Sequence, residues 1–114
     1  MSDEEQAGAA CMPRRPPDYS KVRIIEIQPD PMPDDYRTAM KLAEKIAGET
    51  LGDHMLISWY DRDRDFESPQ HSSECHQDSA VPGYVDYGLN HGARLKVDIG
   101  GGRFVFFFMP LDDL

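Results

Sequence analysis

A chain of 114 residues, 39% hydrophobic and 29% charged, is long enough for one globular core and too short for two ordinary domains. Its formal net charge of -9 repels phosphate backbones and anionic lipid headgroups, which argues against nucleic acid and membrane as partners and is compatible with a basic protein partner, a cation or, most plainly, solubility alone. Two cysteines, Cys11 and Cys75, cannot build a disulfide framework, so reduced thiols in a cytoplasmic setting are expected.

Residues 1–19, "MSDEEQAGAACMPRRPPDY", mix small, charged and proline residues without apolar periodicity, and predict a disordered acidic, proline-rich tail ahead of a single domain over 20–114. This start lacks the apolar centre of a secretory signal, and no run approaches the ~18 apolar residues of a membrane span.

The stretch "KVRIIEIQ" predicts a first strand, with Ile25 and Ile27 on one face and Val22 and Ile24 on the other. Pro29, Pro31 and Pro33 then forbid a regular element. "DDYRTAMKLAEKIAGETLG" predicts the single helix: Asp34 caps it, Asp35 suits its positive end, and Gly48 or Gly52 stops it. Tyr36, Met40, Ala43 and Ala47, flanked by Leu42 and Ile46, form an apolar stripe wide enough to pack on a sheet.

"HMLISWY" predicts a second strand, with Met55, Ile57 and Trp59 alternating against His54, Leu56, Ser58 and Tyr60. It runs into the charged "DRDRDFE" and then into a long segment, 68–92, without strong periodicity, in which "GYVDY" offers at most a short strand. The chain closes on a hairpin. Leu95, Val97 and Ile99 alternate with Arg94, Lys96 and Asp98, "GGGR" turns the chain, and "FVFFFM" is apolar on both faces, as a central strand is. The expected fold is therefore α+β in the order β-α-β-(long loop)-β-β: a mostly antiparallel four-stranded sheet with one helix packed on one face. One helix leaves the other face of the phenylalanine strand bare. Either the long loop or a second copy must cover it, and a homodimer is expected.

Three groupings carry candidate chemistry. His71, Cys75, His76 and His91 combine imidazole and thiolate ligands of the kind that hold zinc or iron, while a polar loop with incidental histidines is the plainer account. Cys75 with His76 or His91 as base, and Asp78 or Asp86 to orient it, supplies the residue types of a thiol enzyme or sulfur carrier without any local hydrolase signature. Asp61, Asp63, Asp65 and Glu67 alternate with Arg62 and Arg64 and offer an acidic docking stripe; a calcium loop fails because Phe66 and Ser72 stand where glycine and glutamate are needed. Tyr84, Tyr87 and Asn90 suit a ligand-facing loop. No complete catalytic set is visible, so the sequence favours a small acidic intracellular binding or accessory protein, dimeric and acting through 68–92. The metal protein and the Cys75-dependent enzyme or carrier are the alternatives.

Overall fold

The computed structural model describes residues 17–70 and 82–111. In chain order these form β1 (Arg23–Ile27), α1 (Tyr36–Leu51), β2 (His54–Asp61), a short 3-10 turn (Arg62–Arg64), β3 (Phe66–Ser68), α2 (Gly83–Asn90), β4 (Leu95–Ile99) and β5 (Phe104–Pro110). The strands make one sheet in the order β1-β4-β5-β2-β3, with β1 parallel to β4 and the other neighbours antiparallel. The α+β class stands, but the four-stranded, one-helix version is corrected to a five-stranded mixed sheet with two helices.

β5 lies at the centre of the sheet, and Phe104, Val105, Phe106, Phe107 and Phe108 are at most 2% exposed. Each such side chain contributes roughly 1.5–3 kcal/mol by leaving water. Phe104, Phe106 and Phe108 face α1, while Val105 and Phe107 face α2.

Asp35, not Asp34, caps α1: its extended backbone lets the carboxylate accept from the Thr38 N–H at 3.0 Å. Gly52 ends the helix at φ +79°, donating its N–H to the Gly48 carbonyl. Ala39, Ala43 and Ala47, four residues apart and fully buried, let the helix backbone approach the phenylalanine layer closely. Ala39 was not part of the expected stripe, because hydropathy alone underweights the small residues of a close contact.

Strict alternation fails in β2. Leu56 pairs with Phe108 and Ser58 with Phe107, so Ile57 is the extra residue of a bulge. Leu56 and Trp59 consequently both face α1, whereas Ile57 joins Tyr60 on the α2 side. The segment "DRDRDFE" does not prolong β2 either. The Asp61 carboxylate accepts from the Asp63 N–H at 3.0 Å and from Arg64 Nε at 2.7 Å, folding the chain into the 3-10 turn. Asp65, at φ +51°, then reverses it into β3.

"GYVDY" is helical, not extended. With Gly83 and Gly88 inside only eight residues, α2 has weak intrinsic propensity and is held by packing. Its Val85 packs in one cluster with Ala93, Val105 and Phe107, with Tyr19, Val22, Ile57, Tyr60, Tyr84 and Leu89 around them. Of the two covers considered for the phenylalanine strand, the chain's own loop supplies this one. Tyr19 stacks on Phe107 with centroids 6.5 Å apart. Among the described residues no helix is long and apolar enough to cross a membrane.

Candidate partner-binding face

The strand register builds the site. Glu26 pairs with Asp98, Asp98 with Val105, Val105 with Tyr60, and Tyr60 with Glu67. Directly opposed residues share a face, so one row across all five strands carries three carboxylates and a tyrosine around the buried Val105. The neighbouring row carries Ile24, Lys96, Phe107 and Ser58.

α2 closes one end of these rows. Its Tyr84 ring lies on Tyr60 with centroids 5.0 Å apart and planes at 8°, and leans on Phe107 at 6.0 Å. Two hydrogen bonds fix the start of the helix: the Tyr84 N–H donates to Glu67 Oε1 at 3.0 Å, and Ser58 Oγ donates to the Tyr84 carbonyl at 2.7 Å. At the other end Lys96 Nζ sits 5.1 Å from the centre of the Tyr19 ring.

Burial pushes the Tyr84 hydroxyl far above the ordinary tyrosine range, and Tyr19, Tyr60, Asp98 and Glu67 push it the same way. The Tyr60 hydroxyl is also raised, by burial first and then by Asp65. Both phenols remain neutral hydrogen-bond donors at physiological pH. Of the row's carboxylates Glu26 is exposed, while Glu67 holds the Tyr84 N–H and Asp98 accepts from the Gly102 N–H at 2.6 Å, so the negative charge is open to solvent chiefly at the β1 end.

The other expected site residues are placed differently. Asp61 is 2% exposed and engaged by Arg64 and the Asp63 N–H, so it is no docking group. Asp63 meets Arg103 through contacts of 2.7, 2.9 and 3.1 Å, and that guanidinium holds its carboxyl below the usual range. Arg64 in turn lies over the rings of Tyr36 and Phe66, at 4.0 and 4.9 Å. The acidic stripe is thus paired to the chain's own arginines, with Asp65 exposed and 3.4 Å from the Tyr60 hydroxyl.

Tyr87, Asn90 and His91 make contacts within α2. His91 stacks on Tyr87 at 3.9 Å and donates from Nδ1 to the Tyr87 carbonyl at 2.8 Å, while Asn90 reaches Asp86 at 3.3 Å. His71, Cys75, His76 and Asp78 lie outside the described residues, so only His91 of the zinc or iron set is located. Among the described residues no group of three or more His, Cys, Asp or Glu side chains is arranged to hold a metal ion.

Tyr84, from its loop, and Glu67, from the acidic stripe, are the members of the face that their sequence context marked. Tyr19, Glu26, Tyr60, Lys96 and Asp98 come from three strands and the segment before β1, and each was legible only as a polar or aromatic position on its own element.

The class defined by this geometry is a small α+β protein with two helices on a five-stranded mixed sheet. Residues 22–108 match the model of the family described as Domain of unknown function (DUF5619), and the chain belongs to that family. The fold is similar to the crystal structure of the novel protein AF1514 from Archeoglobus fulgidus DSM 4304, with a TM-score of 0.62 and 24% identity over 78% of this chain and 94% of that one. No curated protein matches the sequence.

Proposed function

We propose that this protein is a non-enzymatic binding or accessory module of the cytoplasm that receives a basic protein segment on the tyrosine and carboxylate face. The observation that carries this reading is the register row in which Glu26, Asp98 and Glu67 flank Tyr60 on one face of the sheet. Arginine and lysine side chains gain from electron-rich rings and from carboxylates together, and Lys96 over Tyr19 is an instance within the chain. The net charge of -9 favours the encounter at long range.

An arginine-rich peptide tests it. Saturable binding is expected at low salt, weakened about twofold in Glu26→Gln, since an exposed charge contributes roughly 0.5 kcal/mol. Glu49→Gln, on α1 across the sheet, should bind as the parent does. Equal weakening in both variants, or no saturable binding, would remove the proposal.

A separate feature favours self-association. β1 is an edge strand and its Ile24 is 44% exposed, so two copies can extend the sheet by pairing their edges. Sedimentation equilibrium at tens of micromolar is expected to give a dimer that Ile24→Lys dissociates. A monomer at that concentration defeats this second reading and leaves the first untouched.

A further inference from the structure

His54 opens β2 directly after α1, its side chain 15% exposed and its ring edge-on to Phe108 at 5.4 Å and 81°. Both ring nitrogens have partners. Nδ1 lies 2.7 Å from the Gly52 carbonyl oxygen, and Nε2 lies 2.6 Å from Glu44 Oε1. A carbonyl and a carboxylate only accept hydrogen bonds, so each contact needs an N–H from the ring. Neutral imidazole carries one such donor; imidazolium carries two.

We propose that His54 is a proton-operated latch between helix and sheet: as imidazolium it ties Glu44 of α1 and the carbonyl of the helix-ending Gly52 to β2, and deprotonation releases one of those ties. The charged groups acting on the ring are Glu44 from the helix and Asp53 from the turn. β5 contributes the uncharged Phe108 and, opposite His54 in register, Pro110.

Direction follows from the same contacts. The Gly52 carbonyl raises the ring's pKa most, burial opposes it, and Glu44 and Asp53 raise it further. A raised value means that the latch contributes its full stability below the ordinary histidine value of ~6.5, and loses it as pH rises through the folded value. The latch is closed in mild acid and loosens on the alkaline side.

The test follows the His54 ring nitrogens by NMR in the full chain across roughly pH 5 to 9, with His54→Gln identifying the resonances. The expected midpoint lies above ~6.5 and falls in Glu44→Gln, which keeps the oxygen and removes the charge. The Tm advantage of the parent over His54→Gln should shrink as pH rises over that interval. A midpoint at or below the ordinary value, or one that Glu44→Gln leaves unmoved, would overturn the latch.

Discussion

Phe106→Ala is expected to lower the unfolding free energy by about 3–5 kcal/mol, toward the upper part of the range for a buried aromatic truncation. Phe106 has no exposure, stacks on Trp59 with centroids 6.0 Å apart and planes at 14°, and lies 6.5 Å from Phe108. Across the gap stands α1 with Ala39, Ala43 and Ala47. Alanines have no rotamers with which to fill a void, so closing the cavity from the helix side requires a 16-residue helix to shift as a body. A domain of this size has a total stability of about 5–15 kcal/mol, so the variant should unfold at much lower urea, as read by circular dichroism. A loss below about 1 kcal/mol would show that Phe106 is not in the core.

Gly88→Ala is expected to destabilise the protein, although the same change inside most helices gains about 1 kcal/mol. A β carbon at Gly88 would stand 2.9 Å from Phe107 Cγ, 2.9 Å from Ser58 Oγ and 3.1 Å from Phe107 Cβ. Neither neighbour can give way: Phe107 is fully buried, and Ser58 is fixed by its bond to the Tyr84 carbonyl. Overpacking of this kind costs roughly 1–3 kcal/mol, which less the helix gain of about 1 kcal/mol leaves a net loss of up to about 2 kcal/mol, with α2 lifting from the sheet. Gly48→Ala is the control. Its β carbon would meet only the His54 ring, at 3.7 Å, and the ordinary helix gain should appear. If both variants gain stability, the close packing of α2 on Phe107 is wrong.

Elements whose pattern is local were legible in the sequence. β1, α1 and the β4–β5 hairpin announce themselves through alternation, a four-residue stripe and a glycine turn, and each is found there. What escaped depends on contacts made at a distance. The bulge at Ile57 leaves no mark in composition, yet it moves that side chain from the face of Trp59 to the face of Tyr60. β3 has three residues, too few for a period to show, and α2 is a helix because Phe107 and Ser58 accept a glycine backbone against them. The same limit explains the site. Asp61, Asp63 and Asp65 read as a stripe, whereas Asp61 turns inward to fold the next three residues; the row through Glu26, Asp98, Tyr60 and Glu67 exists only once the register is known.

The strand order also has a consequence for how the molecule is made. β5, the middle of the sheet, is the last strand of the described chain to leave the ribosome, and β1 has its partner β4 near the same end. A nascent chain that has just finished α1 and the β2–β3 hairpin has its alanine face ready but no phenylalanine layer to set it on. Sheet, helix and edge strand must therefore condense together after synthesis has passed Phe108. Until that moment Ile25, Ile27 and Trp59 of the growing polypeptide lack the phenylalanine layer they pack against in the finished fold.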